Sequence, residues 1–143
     1  MLVKIKFVIA GIVLIVATSG LAGEANQNIP REKSEAFLNL VIGGEVDKAY
    51  DNIFQGTSIM TDKPQAIAAL KKETVTGISL EGKAIGIDFI TQKIYGSSLV
   101  REVYFLKTDK APLVWDFYYY RTGTDWILIK INFDDNLKGL AGL

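Results

Sequence analysis

The chain contains no cysteine and no histidine. Without thiols there is no disulfide framework, no iron–sulfur or zinc-finger site and no thiol nucleophile. Without imidazole there is no Ser-His-Asp triad and no His-ligated metal. A surplus of either charge is also missing. The 16 Lys+Arg balance 16 Asp+Glu, so the basic excess typical of a nucleic-acid-binding domain is absent. Internal repeats and low-complexity stretches are lacking too. What is present is a 143-residue chain with 49% hydrophobic and 22% charged residues. That composition belongs to an ordered globular protein, and the length suits one domain.

The N-terminus carries a targeting signal. Lys4 and Lys6 form a short basic region, and Phe7 to Ala17 is an unbroken apolar run. Gly20 and Ala22 then stand at the −3 and −1 positions of a cleavage site, the layout of a secretory signal peptide over residues 1–22. Export to the periplasm or the extracellular space is the expectation. An uncleaved, membrane-anchored form is the alternative, because Phe7 to Gly23 holds no charge. Removing 22 of the 143 residues leaves 121, with 14 basic against 16 acidic side chains and a net charge of −2. No electrostatic case remains for a nucleic acid or an anionic membrane.

Residues 23–29 read as a flexible lead-in. Pro30 suits the first turn of a helix, with Phe37, Leu38, Val41 and Ile42 at helical spacing and Gly43-Gly44 as its stop. A second helix is predicted from Glu45 to about Phe54, its apolar face made by Val46, Ala49, Tyr50, Ile53 and Phe54. A third is predicted to be capped by Thr61 or Asp62 and closed by Gly77, with Lys71-Lys72 placed at its end, where cations favour the helix dipole. The periodicity then changes. Four strands are expected at about 84–95, 99–107, 113–121 and 126–133, joined by short turns. On the last, Ile127, Ile129, Ile131 and Phe133 are predicted to share one face, and Trp126, Leu128, Lys130 and Asn132 the other. On the third, both faces are aromatic, so it is expected to be central or covered on both sides. The tail, 137–143, reads as loose. Helices followed by consecutive strands predict an α+β fold with N-terminal helices on a four-stranded antiparallel meander.

Two stretches resemble nuclear transport factor 2-like domains, a cystatin-like α+β superfamily with exported bacterial members. Gly43 to Tyr50 (GGEVDKAY) is similar to the G-D-x-x-x-A-Y step between the first helices of that family. Trp115 to Asn136 (WDFYYYRTGTDWILIKINFDDN) is similar to its last hairpin. The resemblance covers about residues 33–136. It implies a strongly curved, cone-like sheet wrapped on helices, with an open end that can hold a small ligand. It also implies that related domains dimerise through sheet faces. Family members include ketosteroid isomerases, polyketide cyclases and non-catalytic binding domains, so kinship does not select a function. No catalytic residue of the family is carried onto this chain.

With His and Cys absent, chemistry would fall to carboxylates and tyrosines. Asp116, between Trp115 and Phe117, is the prime carboxylate, for burial there would raise its pKa. Its bland reading is solvent exposure or a cross-strand pair with Arg101 or Lys130. Asp88, between Ile87 and Phe89, is read the same way. Tyr104, Tyr118 and Tyr120 join Asp116 as candidate ligand-binding residues, since amphipathic rings suit pocket walls. Asp134-Asp135-Asn136 lacks the remaining ligands of a calcium loop. No metal and no cofactor is expected. The leading expectation is an exported, non-enzymatic domain that binds a small ligand or protein partner between sheet and helices. The rivals are a small isomerase or hydrolyase using Asp116 with tyrosine, and a homodimeric structural module.

Overall fold

A computed structural model describes residues 29–141 and 143. The expected signal peptide and all but the last residue of the lead-in lie outside the described residues. Four helices, α1 (Ile29–Ile42), α2 (Val46–Ile53), α3 (Ile59–Asp62) and α4 (Pro64–Glu81), precede four strands. These are β1 (Ala84–Tyr95), β2 (Leu99–Thr108), β3 (Leu113–Arg121) and β4 (Trp126–Asp134), followed by a 3-10 turn at Leu137–Leu140 where a loose tail was expected. The strands pair antiparallel in the order β1-β2-β3-β4, a meander with β3 inside the sheet. The fold is α+β, with helices packed on one face of an open sheet. No helix among the described residues is long and apolar enough to cross a membrane.

Three local expectations need correction. Gly77 does not close the third helix, and Lys71 and Lys72 therefore lie mid-helix. Helix α4 runs on to Glu81 and stops at Gly82, whose φ is 96°. An L side chain rarely adopts that angle, and a Cβ there would overlap the Asp109 carboxylate. Gly77 serves packing instead: a Cβ would stand 3.1 Å from Cε2 of Phe133. Thr61 and Asp62 do not cap α4. They belong to the separate turn α3, and Lys63 precedes the helix.

The third correction concerns β4. Its register against β3 slips between Tyr118 and Tyr119, which oppose Lys130 and Leu128. Ile129 is thus an extra residue, a β-bulge, and the alternation reverses across it. Ile131 and Phe133 share a face with Trp126 and Leu128, while Ile127 falls on the opposite face with Lys130 and Asn132. The bulge leaves Ile129 45% exposed.

Residues opposed in an antiparallel ladder share a face, so the register defines rows across the sheet. On the helix side run Ile94–Val100–Tyr119–Leu128, Gln92–Glu102–Phe117–Ile131 and Phe89–Tyr104–Trp115–Phe133. The space between these rows and the helices is filled. Phe37 of α1 meets Tyr50, Trp115 and Phe117 edge-on at centroid distances of 5.0, 5.4 and 5.6 Å. Phe37, Leu38, Ala49, Tyr50, Tyr104, Trp115, Phe117 and Tyr119 are each at most 1% exposed. Truncating one such ring to alanine costs about 3–5 kcal/mol. Helices α2 and α4 are tied by polar contacts. Thr74 donates to the Leu70 carbonyl, so the Tyr50 hydroxyl donates to Thr74 Oγ1 at 2.8 Å. Burial pushes the Tyr50 phenol up to about 12. Lys71 of α4 pairs with Asp51 and Asp47 of α2 at 2.8 and 3.2 Å.

Candidate functional site

Alternation divides the four candidate residues. Tyr104 stands on the helix side of the sheet; Asp116, Tyr118 and Tyr120 stand on the open side. They do not form one constellation. Asp116 does not face an enclosed cavity. Its carboxylate accepts from Arg101 Nε at 2.5 Å, and the two side chains are 19% and 18% exposed. This cross-strand pair raises the Arg101 pKa, the hydrogen bond to Asp116 being the main cause. Asp88 pairs with Lys107 at 3.1 Å, half exposed on the same side.

The open face carries a pattern of its own. One row reads Lys93–Arg101–Tyr118–Lys130 and the next Tyr95–Leu99–Tyr120–Ile127. Arg101 and Lys130 lie over the Tyr118 ring at 5.8 and 5.6 Å, and Lys93 over Tyr95 at 5.5 Å. Tyr95 and Tyr120 are each 40% exposed. A row of three cations and a tyrosine therefore runs beside an apolar row with two exposed tyrosines on this side.

The buried carboxylate is Glu102, to which no feature of the sequence had drawn notice. Its residue is 0% exposed. Ser34 of α1 has one hydroxyl proton, and the shortest contact it makes is to Glu102 Oε2, at 2.6 Å. Tyr119 then donates to Ser34 Oγ at 2.8 Å, and Gln92 Nε2 donates to Glu102 Oε1 at 2.8 Å. Burial raises the Glu102 pKa; the hydrogen bonds from Ser34 and Gln92 and the charge of Arg31 oppose the rise without cancelling it. Burial likewise raises the phenols of Tyr104 and Tyr119. The Tyr104 hydroxyl is buried without a hydrogen-bond partner. Arg31 covers this corner, its guanidinium 4.0 Å from the Phe89 ring centroid and 2.9 Å from Glu35. The arrangement clamps the start of α1 onto β1, β2 and β3 through a chain of hydroxyls ending on an acid.

Recesses lie around the rim of the molecule. One of 510 Å³ is lined by α4 and Phe133, and one of 290 Å³ lies beside Val114, Asp116, Asn132 and Gly139. Among the described residues no group of three acidic, histidine or cysteine side chains could hold a metal ion. No protein-family model matches the chain, and comparison with curated proteins and with solved structures finds no match.

Proposed function

We propose that this chain is an exported, non-enzymatic protein-binding module of nuclear transport factor 2-like form, and that it works from the open face of its sheet. One observation carries the reading. The space between helices and sheet is occupied by packed aromatic rings, whereas on the other face Tyr95 and Tyr120 are exposed and Tyr118 is half-buried, beside Lys93, Lys130 and the Arg101 that pairs with Asp116. Tyrosine and arginine are the side chains that dominate protein interfaces, because they bring large contact area with few rotors and a polar tip. The rows favour a partner surface that is apolar along one line and acidic along the next. A photo-crosslinking amino acid placed at Tyr120 tests this in the native host. Specific adducts are expected there, lost on Arg101→Glu and absent from a control at Lys48 on α2. Equal yields at the two positions would end the reading.

A second reading, a small isomerase or hydrolyase, draws on one feature: a buried acid with a raised pKa among tyrosine hydroxyls. Its acid would be Glu102 rather than Asp116. Such an enzyme must open to its substrate, so Glu102 should react with a water-soluble carbodiimide at a rate approaching that of exposed Asp88. Complete protection of Glu102 would dispose of it.

A further inference from the structure

The free edge of β4 has a self-complementary sequence. The strand borders the sheet. Among the described residues its outward backbone meets one side chain, Lys33, which donates to the Trp126 carbonyl at 2.7 Å. Beyond the bulge at Ile129, Lys130 to Asp134 keep a regular register against Tyr118 to Val114. An unpaired stretch of this kind is a template for another strand, and proteins commonly guard it with lysine. Here the guard has its own counter-charge four residues on.

Two copies pairing antiparallel along this edge are related by a two-fold axis perpendicular to the sheet. Opposed residues must share a face, so the axis passes through a residue and not between two. Centred on Ile131, the pairing would set Lys130 against Asn132. Centred on Phe133, it would set Asp134 against Asn132 and Asp135 against Ile131. Centred on Asn132, it sets Lys130 of each copy against Asp134 of the other on the open side, and Ile131 against Phe133 on the helix side. Among the described residues Lys130 and Asp134 form no ion pair; Lys130 lies over the Tyr118 ring, and the Asp134 carboxylate accepts from the Asn136 N–H at 2.9 Å. Space is present as well. On the helix side the edge is flanked by the 510 Å³ recess beside Phe133, walled by Ala69, Lys72, Glu73, Thr76, Gly77 and Leu80 of α4. Leu80 is 68% exposed there. The residues after Asp134 line recesses beside the end of the strand: Asn136 and Gly139 with Val114 and Asp116, and Asp135 with Leu80 and Phe133.

We infer that two copies of this chain join through antiparallel pairing of their β4 edges about a two-fold axis at Asn132, forming one eight-stranded sheet with Lys130–Asp134 pairs across the junction and the α4–Phe133 recesses closed over it. This stands apart from the open-face reading, and it would lay two open faces side by side.

The chain's lack of cysteine makes the test direct. Opposed residues at the axis have Cα atoms about 4.5–5.5 Å apart, within the range a disulfide spans. Asn132→Cys is expected to oxidise to a covalent dimer at least about tenfold faster than Asp88→Cys on the far strand. By sedimentation, the native protein is expected to dimerise with a Kd on the order of 10–100 µM, as suits a small interface. Lys130→Glu should weaken it at least about tenfold, and adding Asp134→Lys should restore it to within about threefold. These side chains are exposed, and unchanged thermal melting would confirm that the variants fold. A monomer at about 0.5 mM, equal oxidation of the two cysteine variants, or a double variant no better than the single would each overturn the inference. So would a dimer indifferent to Lys130→Glu but lost with Tyr120→Ala, which would place association on the open face.

Discussion

Replacing Glu102 by glutamine isolates the cost of holding a charge inside this fold. The side chain is fully buried, and burial outweighs its two hydrogen bonds in setting the direction of its pKa, which is raised. A carboxyl whose folded pKa exceeds the unfolded one binds its proton more tightly in the native state. Stability from this group is therefore complete below the unfolded pKa and is lost as pH climbs through the folded value. Glutamine fills the same volume and carries no such penalty. Its amide oxygen can accept from Gln92, and its nitrogen can donate to Ser34 Oγ, which then turns its own proton toward Tyr119 or the Pro30 carbonyl, 3.3 Å away. Leaving a buried polar group short of partners costs about 1–3 kcal/mol and more for a charged one, and the two hydrogen bonds offset part of that here. A gain of about 1–2 kcal/mol near pH 7 is expected for Glu102→Gln, or about 4–8 °C in Tm at this chain size. The two proteins should converge near pH 4, where the native carboxyl is already neutral. Glu102→Ala instead leaves Ser34 and Gln92 with lost partners beside a cavity, and should cost about 3 kcal/mol near pH 4 and less near pH 7, where the native protein already bears the buried charge. Thermal melts of the three proteins over that range decide the matter. If glutamine destabilises more near pH 7 than near pH 4, the charged form is favoured by its donors and the reasoning about burial is wrong.

Ser34→Ala removes the hydroxyl that links Glu102 to Tyr119; a loss of about 2–3 kcal/mol in chemical denaturation is expected, with faster amide exchange at the start of α1. A loss under about 0.5 kcal/mol would mean that water replaces the link. Arg101→Ala and Asp116→Ala form a double-mutant cycle with an expected coupling of about 1 kcal/mol that shrinks in high salt, since the pair is four-fifths buried but reachable by solvent. Zero coupling would leave the pair without energetic weight. Gly82→Ala, at φ 96° and against Asp109, should cost about 2 kcal/mol or more by urea denaturation; a neutral result would show that the α4–β1 turn can relax.

Strand positions were readable because hydrophobic and aromatic runs alternate with glycine and polar turns; the observed β1, β2, β3 and β4 begin and end within a residue of the expected spans. The helix signals were weaker where one residue type serves two purposes. Glycine at position 77 looks like a stop, but its reason lies across space in the Phe133 ring. The bulge at Ile129 was hidden for a related reason. Ile-Leu-Ile-Lys-Ile-Asn-Phe alternates so regularly that nothing local announces a slip. The slip sets Leu128 in place of Ile129 opposite Tyr119 and turns Trp126, 5% exposed, to the helix side.

The candidate site shows why neighbours along the chain mislead in a sheet. Asp116 is flanked by Trp115 and Phe117 and so reads as a carboxylate in apolar surroundings. Those two rings point to the other side of the strand, and the groups that share its face are Val114 and Tyr118, the opposed Val103 and Asn132 and, diagonally across, the Arg101 that pairs with it. Glu102 is flanked by Arg101 and Val103 and reads as an ordinary surface acid. The residues two positions away, Val100 and Tyr104, belong to the buried face, and that phase alone carries Glu102 into the interior. In a strand the environment of an ionisable group follows from positions i−2 and i+2 and from the opposed residue, because the side-chain period is two. Applied to LVREVYFLKT, that rule marks Glu102 as the one charged residue in phase with Val100, Tyr104 and Leu106. A carboxylate so placed must find donors or remain protonated. Ser34 and Gln92 provide them from α1 and β1, and neither is visible until the helix has been laid across the sheet.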